Sequence, residues 1–309
     1  MRLSLPTSRR ACEVRMRFSK YHGTGNDFVM VEDLEDGFRP SAAFVLAACD
    51  RRTGVGADGV IRIARADEAD FFMDYYNSSG EVAEMCGNGI RCLAKYVYDR
   101  GITTASELDV MTRAGLRHLE IQAQDGVATN VTVDMGHPAF ERKAIPMTGD
   151  PDGRFIGWPL DVVERAFTAT ALSMGNPHCV LFLAQDERPE TLNELDVPRL
   201  GRSVELRPDF PNRTNVEFVV VEDGRIHVRV WERGSGETMA CGTGACAALV
   251  ACSLSGRTGR AAELQFPGGI LWVEWRDDDR VYLTGPAVCV FEGEFDDAWL
   301  SSLQEGAHL

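Results

Sequence analysis

The chain lacks an excess of positive charge, and it also lacks long apolar segments. Its 309 residues carry 32 Lys and Arg against 47 Asp and Glu, which gives a formal net charge of −15. This balance argues against a protein that binds nucleic acid by neutralising phosphates. The sequence contains no run of 18 apolar residues, so no membrane span is predicted. The first 16 residues also contain no apolar run of the length found in signal peptides. We therefore expect a cytoplasmic protein with neither nucleic acid nor membrane as a partner.

A disulfide framework is also missing, although cysteine itself is not scarce. The nine cysteines are an odd number, and they are scattered along the chain. Such a pattern favours free thiols in a reducing compartment over a disulfide-rich extracellular domain. Residues 1–16, which carry four arginines, are predicted to be an N-terminal extension that precedes the fold.

Short alternating or β-branched runs occur in both halves of the chain and predict strands. They cover 17–21, 28–32, 59–64, 71–76, 107–112, 116–122 and 126–135 in the first half, and 171–173, 179–183, 214–222, 225–231, 261–266, 270–275 and 280–284 in the second. Each half also holds one strong predicted helix, at 87–100 and at 242–255, with apolar residues around most of its circumference. A shorter helix is predicted at 40–52.

A hydrophobic content of 44% over 309 residues is enough for two cores. The proline- and glycine-rich stretch 136–158 is the best candidate for the junction between them. We predict that residues 17–135, joined by about 286–300, form a first domain and that residues 136–285 form a second. Residues 288–294 are expected to return to the first domain.

The same short motif opens both strong helices. Cys86 is followed by Gly-Asn-Gly, and Cys241 is followed by Gly-Thr-Gly. The two cysteines are 241 − 86 = 155 residues apart, about half of the 309-residue chain, which indicates a duplicated unit with one thiol in each copy.

A thiol at a helix start meets unpaired N–H groups and the positive end of the helix dipole, so its pKa is expected to fall. Glycines at 87, 89, 242 and 244 would let a carboxylate approach those N–H groups closely. If both starts faced one cavity, one thiolate could remove a Cα proton while the opposite thiol returned one. That is the chemistry of a racemase or epimerase, and it requires neither pyridoxal phosphate nor metal.

Several blocks of sequence together resemble the diaminopimelate epimerase family. They lie at residues 21–28, 77–80, 85–92, 174–178, 215–218 and 232–244. The resemblance implies conversion of L,L-diaminopimelate to meso-diaminopimelate without a cofactor. It also implies an α/β (α+β) fold of two pseudo-symmetric domains, each a mixed β-barrel-like sheet around a central buried helix. Expected partners are the small-molecule substrate and, as an open alternative, a second copy of the chain in a homodimer.

The resemblance also assigns roles to individual residues of this chain. It implies that Cys86 and Cys241 are the acid and base. Backbone amides at four positions would bind the reacting carboxylate, namely Gly87, Asn88, Gly242 and Thr243. Six side chains would bind the amino and carboxylate groups of the substrate, namely Asn26, Asn77, Asn176, Asn215, Glu232 and Arg233. His178 is expected to tune the protonation of the thiols, and no metal site is expected.

Two positions depart from the family pattern. Gly59 stands where some relatives place a substrate-contacting Gln, so that contact is absent or replaced, with Asp58 as a candidate substitute. Ser79 stands where an acidic residue is common.

Three alternatives remain beside the epimerase hypothesis. A proline or hydroxyproline racemase would share the thiol pair, although the adjacent Glu232 and Arg233 favour a substrate with a second charged end. A zinc protein would use Cys86, Cys92, Cys241, Cys246 and His178, but their spacing is not typical of zinc knuckles. A redox-sensing pair would need the two thiols close enough to form a disulfide. The G-x-G-x-x-G pattern at 54–59 follows a helix and precedes a strand, which is the wrong order for dinucleotide binding.

Overall fold

The computed structural model describes residues 16–163, 165–184 and 187–304. The predicted extension 1–16 therefore lies almost wholly outside the described residues. In the first half of the chain the strands are β1 Arg17–Gly23, β2 Asn26–Glu32, β3 Gly59–Ala64, β4 Phe71–Asn77, β5 Glu107–Thr112, β6 Gly115–Gln124 and β7 Val127–Asp134. The helices of this half are α1 Ala42–Cys49 and α2 Gly87–Asp99.

The second half repeats this arrangement with two additional helices. Its strands are β8 Phe155–Val162, β9 Arg165–Ser173, β10 Pro177–Phe182, β11 Asn215–Glu222, β12 Arg225–Glu232, β13 Gly236–Thr238, β14 Ala261–Phe266, β15 Gly269–Trp275 and β16 Val281–Gly285, followed by β17 Val288–Glu294. Its helices are α3 Pro189–Glu194, α4 Val197–Glu205, α5 Gly242–Leu254 and, at the end of the chain, α6 Asp297–Gln304.

The strand pairing follows the same order in each half. In the first half the strands lie in the order β17, β1, β2, β3, β4, β5, β6 and β7. The pairs β2–β3 and β4–β5 are parallel, and the other neighbouring pairs are antiparallel. In the second, β8 through β12 and β14 through β16 show the same succession. An antiparallel pairing between β7 and β16 joins the two sheets. The two halves are therefore two copies of one sheet.

A buried helix occupies the centre of each copy. Residues Gly87 to Val97 of α2 are all buried, as are nearly all residues from Gly242 to Cys252 of α5. Helix α2 packs on β1, β2, β3, β6, β7 and β17, and α5 packs on β9, β10, β11, β12, β14, β15 and β16. Small residues such as Ala and Gly let strands approach the helix from all sides, so the sheet can curve around it. The predicted fold class is confirmed.

The structure differs from the sequence prediction mainly around the junction. Most of 136–158 is irregular, but β8 already begins at Phe155. Helices α3 and α4 were not predicted, although each has a proline in its first turn. Both helices are short and pack mainly on β11 and β12 of the second sheet, and neither is long enough to carry an extended apolar pattern. None of the helices in the described part of the chain has the length and apolar character needed to cross a bilayer.

Candidate functional site

The first residues of α2 and α5 meet at the contact between the two halves. A Cβ atom on Gly242 would lie 3.4 Å from the Cα of Gly87, and a Cβ on Gly87 would lie 3.6 Å from the Cα of Gly242. The side chain of Asn88 crosses the contact, because its Nδ2 donates to the backbone oxygen of Ala240 at 3.2 Å. The two cysteine-bearing helix starts are thus packed directly against each other.

Both cysteines line one cavity of about 380 Å³ at this contact. The same cavity is lined by Asn26, Gly87, Asn88, Asn176, Glu232, Arg233, Gly242 and Thr243 among other residues. A larger cavity of about 1060 Å³ adjoins it, because Asn26, Met85, Cys86, Glu232 and Arg233 line both. The site therefore has a narrow end between the thiols and a wider end that extends towards Asn77, Asp58 and Tyr75.

Cys86 is half-buried and is held by groups of its own half. Its sulfur lies 3.5 Å from Oδ1 of Asn26, and the backbone N–H groups of Asn88 and Gly89 are directed at it. Asn26 is fixed by a hydrogen bond from its Nδ2 to Asp58 at 2.8 Å and by one from Asn88 Nδ2 at 3.2 Å. Its Oδ1 is therefore oriented towards the thiol.

Cys241 lies at the end of a chain of hydrogen bonds. Its sulfur is 3.5 Å from Oγ1 of Thr243, which accepts from Asn176 Nδ2 at 3.2 Å. Oδ1 of Asn176 lies 2.9 Å from Nε2 of His178, whose Nδ1 lies 2.7 Å from Oε1 of Glu217. His178 and Glu217 are both fully buried. The second thiol is thus connected through three side chains to a buried carboxyl group.

Glu232 lies between the two cavities. Its Oε1 accepts a hydrogen bond from Oγ1 of Thr238 at 2.5 Å. Burial raises the pKa of the Glu232 carboxyl, and hydrogen bonds from Thr238 and Cys241 partly oppose that shift. The carboxyl is therefore easier to protonate than an ordinary glutamate, and it lies in contact with the second thiol.

The structure corrects the expectation that the thiol pKa values are lowered. Burial raises the pKa of Cys86 to about 11, against the effect of the Gly89 and Asn88 N–H groups and with a further rise from Glu232. Burial also raises the pKa of Cys241 well above its usual range, and Glu232 and Glu217 add to this. Removing a thiolate from water costs more than the N–H groups of the helix start offset. Both thiols are therefore protonated near neutral pH.

Two predicted substrate-binding asparagines have their side chains already engaged. Asn215 donates to the backbone oxygen of Pro177 at 2.8 Å and accepts from the Arg233 backbone N–H at 2.9 Å, so it holds Arg233 in place. Oδ1 of Asn77 accepts from the backbone N–H groups of Ser79 and Glu81, at 3.0 and 3.2 Å, and from the Ser79 hydroxyl at 2.6 Å. Asn77 lines the larger cavity, whereas Asn215 is buried and is not among the residues that line it.

The glycine at position 59 is explained by its neighbours. A Cβ there would lie 2.4 Å from the backbone oxygen of Tyr76 and 2.6 Å from Cε2 of Tyr75. The ring of Tyr75 thus takes the space that a larger residue at 59 would need, and Tyr75 lines the larger cavity together with Asp58. Asp58 bonds to Asn26 and pairs with Arg51 at 2.7 Å.

Two groups of the site were not predicted from the sequence. Glu217 lies in one of the blocks that resemble the family, but no role was predicted for it. A single acidic residue inside the apolar run of β11 could have indicated a functional group. Arg117, whose pKa is lowered by burial, lines the narrow cavity from β6, and nothing in its local sequence indicated this. The zinc hypothesis has no geometric support, because no group of three His, Cys, Asp or Glu in the described ranges is arranged to hold a metal ion.

Two matched sheet-and-helix units, with one thiol from each at a shared cavity, give the arrangement that a two-thiol racemase or epimerase of amino acids requires. Comparison with known proteins gives the particular family. The chain belongs to the diaminopimelate epimerase family, whose model matches residues 18–141 and 170–290.

Relatives cover nearly the whole chain. Diaminopimelate epimerase of Pelotomaculum thermopropionicum is 46% identical over 283 residues, which are 91% of this chain and 99% of the relative. Diaminopimelate epimerase of Methanococcus maripaludis is 41% identical over 283 residues, covering 91% and 100%. These matches identify the chain as an isomerase that acts on amino acids.

Solved structures of more distant proteins share the fold. A phenazine biosynthesis protein of the PhzF family from Bacillus anthracis has a TM-score of 0.66 at 17% identity, over 91% of this chain and 99% of that one. A hydroxyproline epimerase from Agrobacterium vitis has a TM-score of 0.64 at 15% identity, over 91% and 90%. At such identities the likeness shows the fold alone, so it gives the racemase alternative no advantage.

Proposed function

We propose that this protein interconverts L,L-diaminopimelate and meso-diaminopimelate without a cofactor, with Cys86 and Cys241 as the two acid–base groups. The observation that carries this proposal is the single narrow cavity lined by both thiols and by the glycine-rich starts of both helices. The N–H groups at these starts have no carbonyl partner within their helix and suit one carboxylate, and the thiols lie on opposite helices beside it.

The reaction moves two protons at one carbon. Because both thiols are protonated near neutral pH, one cysteine must first lose its proton to solvent as the substrate binds. As thiolate it then takes the Cα proton, and the electron pair left on carbon is delocalised into the carboxylate that the helix-start N–H groups bind. The opposite cysteine, as thiol, then gives its proton to the other face of the carbon. After one turnover the two cysteines have exchanged their protonation states.

The remaining site residues fit a substrate with a second charged end. Arg233 and Glu232 line both cavities, and Asn77 and Asp58 line the wider one. A guanidinium can bind a carboxylate through two hydrogen bonds, while Glu and Asn oxygens accept from an ammonium group. We assign recognition of the distal amino-acid group to this wider end, with Asn26 and Asn176 orienting the groups near the thiols. His178 is assigned to the tuning of Cys241 through Asn176.

This assignment extends to the cellular role and to the domains. A diaminopimelate epimerase acting in the cytoplasm would supply precursors of lysine and peptidoglycan. We further assign residues 17–135 with about 286–300 to the first domain and residues 136–285 to the second, and leave a homodimer as the assembly to be tested by sedimentation.

The test is incorporation of solvent deuterium at the α-carbon. In D2O the protein is expected to exchange and epimerise diaminopimelate but not proline. Cys86→Ala and Cys241→Ala should each abolish epimerisation, and single-turnover exchange with each stereoisomer would assign each thiol to one face. Cys289→Ala, on β17, is the matched control and should keep full activity. Exchange into proline without exchange into diaminopimelate would favour the racemase alternative.

A further inference from the structure

Arg91, in the second turn of α2, is a cation in an unfavourable place. Its side chain is fully buried, and none of the described carboxylates forms an ion pair with it. It also lies near the N-terminus of a helix, where the peptide dipoles disfavour positive charge. Buried charges in proteins are normally paired, because removing them from water is strongly unfavourable. The positive charge of Arg91 is therefore not neutralised by any carboxylate of the described residues, and it remains available to act on neighbouring groups.

The guanidinium of Arg91 is held by three hydrogen bonds to neutral groups. Nη1 donates to the backbone oxygen of Gly87 at 3.0 Å, and Nη2 donates to the hydroxyl of Thr24 at 2.9 Å. Nε is 3.5 Å from the backbone oxygen of Pro286, which lies between β16 and β17. The side chain is therefore fixed in one position without any neutralising acid.

Two glycines leave the space that this guanidinium occupies. A Cβ at Gly23 would lie 3.1 Å from Nη2 of Arg91, and a Cβ at Gly285 would lie 3.2 Å from Nε. These distances are tighter than an ordinary van der Waals contact. The surrounding backbone thus accommodates the cation from both the β1–β2 turn and the end of β16.

One hydrogen bond of Arg91 connects it with the catalytic thiol. The Gly87 carbonyl that accepts from Arg91 belongs to the same peptide group as the Asn88 N–H, and that N–H is directed at the sulfur of Cys86. A donor on the carbonyl polarises the peptide, so its N–H becomes a better donor to an anion. The cation therefore acts on the N–H groups proposed to bind the substrate carboxylate.

The second half of the molecule has no equivalent cation. With the repeat offset of 241 − 86 = 155, the position that matches Arg91 is 91 + 155 = 246, which is Cys246. The sulfur of Cys241 instead lies near Glu232 and Glu217. Glu232 acts on both thiols, but Cys86 also has the cation of Arg91 nearby, whereas Cys241 has the second carboxyl group of Glu217.

We propose that Arg91 is a positioning residue for catalysis, whose buried guanidinium orients the Gly87–Asn88 peptide and supplies the positive charge that stabilises the bound carboxylate and the thiolate of Cys86. This inference rests on the proposed function. Other titratable groups that act on Cys86 or line its cavity are Glu232, Tyr75, Cys92, Arg117 and Arg233. Arg117 and Arg233 are also cations, but it is Arg91 that donates to the Gly87–Asn88 peptide.

The test compares three substitutions at position 91 with the wild type. Arg91→Met removes charge and hydrogen bonds, Arg91→Gln keeps a neutral donor, and Arg91→Lys keeps the charge. We expect the Met and Gln variants to lose about 100-fold or more in kcat, the range seen when one oxyanion donor is removed. In these two variants the alkylation of Cys86 by iodoacetamide at pH 8, measured by peptide mass spectrometry, should be about tenfold slower. A tenfold decrease corresponds to a rise of about one unit in the pKa of the thiol. Arg91→Lys should recover part of both.

Thermal unfolding separates this role from a structural one. Because the lost charge is unpaired and buried, Tm should fall little or even rise in Arg91→Met. Arg52→Met, which removes the same charge from an exposed position, is the control and should behave as wild type. The proposal would be overturned if Arg91→Gln kept the kcat and the Cys86 reactivity of the wild type. It would also be overturned if both neutral variants, Met and Gln, failed to fold or lost about 10 °C or more in Tm. If the wild type does not act on diaminopimelate, the proposed function fails, while Cys86 reactivity and Tm still test Arg91.

Discussion

At the scale of single residues, the site is governed by a competition between burial and hydrogen bonding. Cys86 and Cys241 each begin a helix, where N–H groups favour a thiolate, yet both are enclosed by protein. Burial prevails, so the pKa of each thiol is raised. A thiol that stays protonated resists oxidation and alkylation, since the thiolate is the reactive form.

This competition predicts the pH dependence of thiol modification. Because the pKa of Cys86 is raised to about 11, the thiolate fraction increases with pH throughout the neutral and mildly alkaline range. Alkylation of Cys86 by iodoacetamide in the ligand-free protein should therefore accelerate about tenfold per pH unit from pH 7 to pH 9. The rate is measured by quenching the reaction in aliquots at successive times and quantifying the alkylated Cys86 peptide by mass spectrometry. A plateau below pH 8 would contradict the raised pKa.

Tyr75 gives a second prediction at this scale. Its hydroxyl has no hydrogen-bond partner among the described residues, and its ring lines the wider cavity beside Gly59. Tyr75→Phe is expected to raise KM for diaminopimelate about five- to tenfold, as loss of one hydrogen bond of about 1 kcal/mol implies, and to leave Tm unchanged. Tyr98→Phe, on the outer end of α2, is the control. An unchanged KM would show that Tyr75 only fills space.

At the scale of elements, the starts of α2 and α5 are the parts on which the site depends. Their glycines serve two purposes, since they leave N–H groups accessible and let the helices touch. At Gly244 the requirement is steric, because a Cβ would lie 2.7 Å from Oε1 of Glu217 and 3.4 Å from the sulfur of Cys241. The start of α5 is thus fitted against the buried carboxyl that supports His178.

Gly244→Ala should therefore disturb both stability and catalysis. Overpacking of this kind typically costs about 1–3 kcal/mol in the free energy of unfolding, and the displaced Glu217 would loosen the hydrogen bonds that lead to Cys241. Urea unfolding and kcat measure the two effects. Gly259→Ala is the control, because a Cβ there meets nothing within 4 Å. Equal stability of the two variants would mean that α5 can shift without cost.

At the scale of the whole molecule, the two halves share one continuous sheet through β7 and β16. The buried hydroxyl of Thr132 lies 2.8 Å from that of Thr284 across this pairing. β17 crosses in the same region to pair with β1. Because backbone hydrogen bonds link the halves, we expect them to unfold together in one transition.

A double-mutant cycle tests this link. Thr284→Val leaves the buried hydroxyl of Thr132 without its partner and should cost about 1–3 kcal/mol in the free energy of unfolding, whereas Thr132→Val leaves the half-buried hydroxyl of Thr284 and should cost less. The double variant replaces both groups by apolar ones and should lose less than the sum. Calorimetry should show one transition in every variant. Additive losses, or two separated transitions, would show that the two halves are not coupled at this position.

Much of the architecture was predictable because it is recorded in local patterns. The strands at 59–64, 107–112 and 261–266 were predicted at their observed bounds, since alternation and β-branched residues mark them directly. The short helices α3 and α4 and the strand β8 were missed, because their form depends on packing against the second sheet. Propensity alone is a weak signal in elements of this length.

The sequence by itself determined the duplication, the two cysteine-bearing helix starts and the family. These depend on residue identity and spacing along the chain. Only the tertiary structure decided that the two helix starts touch, that burial raises the thiol pKa values, that Tyr75 fills the space beside Gly59, and that Glu217 and Arg91 lie behind the two thiols. Contacts between residues far apart in the chain, and the loss of water around them, arise only when the sheets close around their helices.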